Sequence, residues 1–305
     1  MTQPKKISIP TGVWTALVTP FDETGHIDWP ALDACLEKQV KAGVTGVVVI
    51  GSTGESSSMS MQERLSVIRR AKATLQGRIR LMAGTGLSHT GQTVELSKLA
   101  VEAGAESLLV VTPPYVKPNT QGLLRHYETV GAEVGVPMCL YHVPSRTGRR
   151  LTVEEFGLLA QIPQVVMFKD SSGDMVLMSR ATQACSLPFL SGDDLTYLAS
   201  RAVGGQGWIS VVSNAFPEAC VEMEACMARG DLTRALALHR ALSPLVDLLE
   251  CDTNPGPIKA ALAALGLCRN ELRSPLAPVQ PEWMPRIAEM VKKTEQALLA
   301  IRAVP

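Results

Sequence analysis

Short runs of nearly uninterrupted apolar residues recur along the chain, separated by stretches with helical periodicity. The runs cover residues 13–21, 44–51, 79–86, 106–115, 136–144, 165–172, 188–194 and 207–214. Apolar on both faces, they predict strands of a parallel sheet covered on both sides. The intervening segments carry helix punctuation. Asp28 precedes Trp29 and Pro30, and that helix is expected to end at Gly43. Ser60 with Glu63 and Thr152 with Glu155 read as capping boxes, the first helix ending near Gly77. A helix after Thr90 is expected to stop at Gly104, and Asp193 or Asp194 to cap one that ends at Gly204. Strand then helix, eight times in about 230 residues, predicts an α/β fold, the (β/α)8 TIM barrel. A doubly wound open sheet usually has fewer strands, and no GxGxxG follows the first run. Beyond residue 230 only helical periodicity remains, over 231–250, 257–267 and 281–303. The expected division is a catalytic barrel over 1–230 and a C-terminal helical domain over 231–305.

Composition narrows the function classes. Charged residues make up 19% and the net charge is zero, so no basic face for nucleic acid is expected. The opening MTQPKKISIPTG has no apolar core like that of a secretory signal, and the apolar runs fall well short of the roughly 20 residues that span a bilayer. Seven cysteines are scattered without a CxxC pair, the pattern of reduced core thiols in a cytoplasmic protein.

Barrel chemistry happens at the C-terminal ends of the strands. The residues expected there are Thr19, Ser52, Thr53, Thr85, Thr112, Tyr115, Tyr141, Arg146, Lys169, Asp193 and Ser210. They are hydroxyls with one lysine, one arginine and a single carboxylate, and lack the His and carboxylate clusters that hold metals or the paired carboxylates of glycosidases. GSTGES lacks the lysine of a P-loop, and neither GxSxG nor HExxH occurs. Lys169 is the anomaly, a lysine closing the buried-looking run VVMFK. An ammonium taken out of water is disfavoured, and the neutral amine is a nucleophile that forms a Schiff base with a carbonyl. The alternative is a lysine that snorkels to water from a strand end. Tyr141 can shuttle protons beside such an imine. Ser52 and Thr53, with their backbone N–H groups at a helix N-terminus, can hold a carboxylate, and Arg146 can clamp a second one. The bland readings are a cap-forming turn and a surface arginine.

GSTGES (51–56), YHVPSRTG (141–148), FKDSSGD (168–174) and NPGPIK (254–259), in this order, resemble the dihydrodipicolinate synthase and N-acetylneuraminate lyase family. PSRTG and NPGPIK resemble its synthase branch. The resemblance implies condensation of pyruvate with L-aspartate 4-semialdehyde to 4-hydroxy-tetrahydrodipicolinate, in lysine biosynthesis, with no cofactor. The alternative is another pyruvate-dependent aldolase or a keto-deoxy acid dehydratase of the same family. It implies Lys169 as the imine lysine and Tyr141 as proton shuttle. On the same resemblance Thr53 and Tyr115 are expected to complete a hydroxyl relay, with Tyr115 reaching in from a neighbouring subunit. Ser52 and Thr53 are expected to hold the pyruvate carboxylate, Arg146 to grip the carboxylate of the aldehyde, and Gly192 and Ile209 to line the pocket. A homotetramer, a dimer of dimers, is implied as well. Two departures bear on the substrate: His142 stands where most synthases have Asn, and Pro114 replaces an aromatic residue.

Overall fold

Each apolar run overlaps a strand, the first strand starting one residue ahead of its run, and each strand stops short of the end of its run. The computed structural model describes residues 8–303, so most of the stretch read for a signal segment, residues 1–7, lies outside the described residues. The strands are β1 (Gly12–Ala16), β2 (Gly46–Val49), β3 (Arg80–Gly84), β4 (Ser107–Val111), β5 (Met138–His142), β6 (Val165–Asp170), β7 (Phe189–Ser191) and β8 (Gly207–Ser210). All pair in parallel with their neighbours in sequence, and β8 returns to β1 with Gly12 opposite Gly207 and Trp14 opposite Ile209. The sheet closes into the (β/α)8 barrel expected, and the polar tail of each run leaves as a loop at its C-terminal mouth.

The helices are α1 (Trp29–Ala42), α2 (Met61–Leu75), α3 (Thr90–Glu102), α4 (Thr120–Val134), α5 (Pro144–Thr147) and α6 (Val153–Leu159). They continue with α7 (Met175–Ala184), α8 (Tyr197–Ala202), α9 (Pro217–Ala228), α10 (Leu232–Leu249), α11 (Gly256–Ala264) and α12 (Trp283–Arg302). Among the described residues no helix is long and apolar enough to cross a membrane. The start of α1 follows the sequence signals: the Asp28 carboxylate accepts from Ala31 N, and Gly43 closes the helix at φ 74°. Both capping boxes form. α2 ends at Leu75, near Gly77 as expected, with Gln76 in the left-handed conformation (φ 50°) ahead of that glycine. Two local readings need correction. α3 starts at Thr90 itself rather than after it, and His89 caps it, its ring accepting from Gln92 N. Neither Asp193 nor Asp194 caps α8, whose cap position is Thr196. Asp193 Oδ1 accepts from Leu195 N and Thr196 N in the preceding turn, and Asp194 turns away to Val211 N and Val212 N.

Strand alternation separates two apolar layers. Inside the barrel, Trp14, Val48, Met82, Leu109, Cys139, Met167, Leu190 and Ile209 form a closed plug. The Trp14 ring takes the space beside Gly46, where a Cβ would fall 2.5 Å from Trp14 Cζ3 and 2.6 Å from Arg80 O. Outside, the other strand face packs on the helices, as in the edge-to-face contacts of Phe156 with Phe168 and Phe189. After α9 the chain enters its last three long helices. α10 packs on α9 and α12, and α11 on α12. The link between α10 and α11 crosses the barrel mouth.

Candidate active site

A cavity of about 680 Å³ opens at that mouth. Its floor is the top of the apolar plug, and its wall is built by strand ends and by the link before α11. On β5 and β6 the inward positions at the top are Tyr141 and Lys169, which lie opposite each other in register. Lys169 is 4% exposed, and its Nζ stands 4.1 Å from the centroid of the Tyr141 ring. The Tyr141 hydroxyl shares a 3.5 Å hydrogen bond with Ser171 Oγ. Gly192, on the loop after β7, borders the same space. A Cβ there would lie 2.5 Å from Lys169 Cε and would also strike Ser171 Oγ, so glycine leaves room for the lysine chain.

The loop after β2 supplies Ser52 and Thr53. The turn's own hydrogen bonds run from Gly54 N to Gly51 O and from Glu55 N to Ser52 O, so neither Ser52 nor Thr53 spends its N–H on the turn. Those two amides and two hydroxyls form a cluster of donors of the kind that can meet an anion. The expectation of a helix N-terminus here is corrected: only one short 3-10 turn (Ser56–Ser58) follows, and α2 starts later at its own cap, Ser60. The loop is strained, with Ile50 and Glu55 at φ 49° and 54°. Left-handed backbone in such residues costs roughly 1–2 kcal/mol each and is held by its surroundings.

Arg146 sits in α5 at the rim, exposed, with Nη2 3.2 Å from Asn254 O. No carboxylate pairs with it among the described residues. Asn254 Nδ2 donates to Thr53 Oγ1 at 3.0 Å. Thus the segment between α10 and α11 touches the hydroxyl turn with one group and the arginine with another. Asn254 belongs to NPGPIK, but a contact spanning 201 residues of chain leaves no periodic signal in the sequence.

The cavity therefore brings together Lys169, Tyr141, Ser52, Thr53, Arg146, Gly192 and Asp193. It does not include Ile209, which is fully buried in the plug below. Thr19, Thr85, Thr112 and Ser210 are also buried and occupied within the fold: Thr19 Oγ1 donates to Gly54 O, and Ser97 Oγ donates to Thr85 Oγ1. Tyr115 is 91% exposed and lies outside this cavity, at φ 71°. His142 points outward rather than at the cavity. Its Nδ1 is 2.7 Å from Asp170 Oδ1, its Nε2 accepts from Leu151 N, and its ring edge meets Phe156. Pro114 lines a smaller cavity of about 180 Å³ behind Ser52 and Tyr141.

Two acids in and under the cavity are shifted. Burial pushes the Asp194 carboxyl up to about 6, against the Val212 and Val211 amides and the Ser210 hydroxyl, which favour its ionised form. Burial pushes the Cys139 thiol, one layer below Lys169, up to about 12, so it stays an inert apolar group. Among the described residues no set of three His, Cys, Asp or Glu is arranged to hold a metal. What the site presents is one buried amine, one phenol beside it, a turn with unspent amides and hydroxyls, and an arginine joined to that turn through Asn254.

Residues 9–294 match the model of the dihydrodipicolinate synthetase family. A 4-hydroxy-tetrahydrodipicolinate synthase of Oleidesulfovibrio alaskensis is 41% identical over 275 residues, 89% of this chain and 94% of that one. The 4-hydroxy-tetrahydrodipicolinate synthase of Methylacidiphilum fumariolicum superposes with a TM-score of 0.93 at 34% identity, over 96% of this chain and 99% of the other. A chloride-inhibited dihydrodipicolinate synthase of Acinetobacter baumannii, complexed with pyruvate, superposes with a TM-score of 0.91 at 35% identity, over 93% and 99%.

Proposed function

Because this chain belongs to the dihydrodipicolinate synthetase family, we propose that it condenses pyruvate with L-aspartate 4-semialdehyde to give 4-hydroxy-tetrahydrodipicolinate and water, in lysine biosynthesis. The observation that carries this reading is the buried Lys169 amine against the Tyr141 ring, in a cavity that also holds Ser52, Thr53 and Arg146. Lys169 Nζ attacks the keto carbon of pyruvate, water leaves, and an imine forms. The protonated imine draws electrons, the methyl group loses a proton, and the resulting enamine adds to the aldehyde carbon. The amine of the second substrate then displaces Lys169 and closes the ring, so one water is released overall. Ser52 and Thr53 hold the pyruvate carboxylate, and Arg146 takes the carboxylate of the aldehyde. An arginine favours this small acidic aldehyde over a neutral sugar chain, which would ask for hydroxyl partners.

Tyr141 moves the protons, with Thr53 and Tyr115 as its relay. In this single chain the hydroxyl bonded to Tyr141 is that of Ser171, and Thr53 is bonded to Asn254. The exposure of Tyr115 fits a side chain that serves a neighbouring copy, in a tetramer built from dimers. Residues 231–305 act as a C-terminal helical domain that walls the site, and the enzyme works in the cytoplasm. The test is borohydride reduction in the presence of pyruvate. A covalent adduct of pyruvate on Lys169, with loss of activity, is expected. Absence of that adduct on mass mapping refutes the imine. Lys169→Arg should abolish adduct and turnover alike, because guanidinium keeps its proton.

A further inference from the structure

GSTGES and NPGPIK each contain a charged residue that the imine chemistry leaves unused: Glu55 and Lys259. Both side chains are fully buried and ion-paired to each other. The second oxygen of Glu55 accepts from Arg273 N at 3.1 Å. Lys259 Nζ also donates to Glu271 O at 2.8 Å and stands 4.2 Å from the centroid of the Phe21 ring. The Arg273 guanidinium lies over the same ring at 4.4 Å and binds Gly25 O, Ser58 O and Glu63. At the other end of NPGPIK, Asn254 holds Thr53 and Arg146. The segment 254–259 therefore grips the 51–56 loop at two points.

A buried ion pair is a poor device for stability alone, since apolar side chains of the same volume do as well or better. What it does well is fix one arrangement, because both charges lose their partner if either moves. Here it fixes a loop in which one of the two left-handed residues is Glu55 itself, two positions from Thr53. We propose that Lys259 is a positioning residue of the imine site: acting through Glu55, it holds the Ser52–Thr53 turn where the carboxylate of pyruvate is caught beside Lys169. This rests on the imine reading above.

The test uses Lys259→Met with Glu55→Gln, which removes both charges, keeps the volumes and leaves an acceptor for Arg273 N. Trapping of pyruvate on Lys169 by borohydride is timed at limiting and saturating pyruvate, below the melting temperature, beside steady-state kinetics for both substrates. The expected result is a folded variant whose KM for pyruvate rises, and whose trapping rate at limiting pyruvate falls, by roughly ten- to a hundredfold, as misplacement of a binding group produces. The KM for the aldehyde should move less than about threefold on the same reasoning. A folded double variant with unchanged trapping rate and unchanged KM for pyruvate overturns the proposal and leaves the pair a purely structural one. If the double variant does not fold, Glu55→Gln alone is read the same way. Absence of an adduct in the unaltered enzyme sinks the imine reading instead, and this proposal with it; an adduct at unchanged rate in the variant sinks the proposal alone.

Discussion

At the scale of single residues, the roles proposed for Arg146 and Lys169 separate the two halves of the reaction. Arg146 is exposed at the rim, with a backbone carbonyl as its hydrogen-bond partner, so most of its donors remain for a substrate. Arg146→Ala should lower kcat/KM for the aldehyde by about 2–4 kcal/mol of transition-state binding, as for a lost charge-assisted pair. Trapping of pyruvate on Lys169 should survive. Equal loss of both, measured side by side, would make the arginine a support for its turn. The sequence exposed Lys169 and Arg146 because an ion at the end of an apolar run breaks the pattern around it. It misled at His142, although the period of two was available: with Tyr141 facing inward, its neighbour must face the helices. It was silent on Asn254 and Glu55, whose partners lie 201 and 204 residues away.

At the scale of elements, strands and caps were legible because each depends on neighbours in sequence. Ser60 needs only Glu63, and Thr152 only Glu155. The limits of the strands were not, since each run continues past its strand into the mouth loop and only pairing in the closed sheet decides where the strand stops. Contacts between helices were hidden as well, because the partners lie far apart in sequence, and one has a pH signature. His126 in α4 meets Thr90 Oγ1 at the start of α3 through Nδ1 at 2.9 Å, and its Nε2 is buried without a partner. Burial pushes this imidazole down to about 4 from 6.5. As pH falls through 6.5 the unfolded chain takes a proton that the folded one refuses until about 4. Stability is therefore lost across that window, by up to about 3 kcal/mol at 1.36 kcal/mol per unit. Urea unfolding at pH 7 and pH 4.5 checks this. His126→Asn should show the smaller loss on acidification, and an identical loss in both proteins would refute the assignment.

At the scale of the whole molecule, Tyr115 and Val116 form an apolar projection, 91% and 55% exposed, while the cavity at the mouth is lined by one tyrosine, Tyr141. If Tyr115 serves a neighbouring copy, two inactive variants should rescue each other. Mixing Tyr115→Phe with Lys169→Met under conditions of subunit exchange should restore part of the activity, because one mixed site then holds both groups. No gain on mixing would place Tyr115 in its own chain's chemistry or outside it. The closure of the barrel by β8 on β1 has a consequence for how the protein is made. Gly12 waits for Gly207, about 195 residues later, which takes roughly 10–40 s at ribosomal rates of 5–20 residues per second. For that time one side of β1 is an open edge, able to pair with a neighbouring nascent chain. Lys259 and Arg273 emerge later still, so the Ser52–Thr53 turn is locked only well after the strands around it are made, and a ribosome that stalls between β8 and α11 leaves the strands of the barrel finished and the turn unlocked.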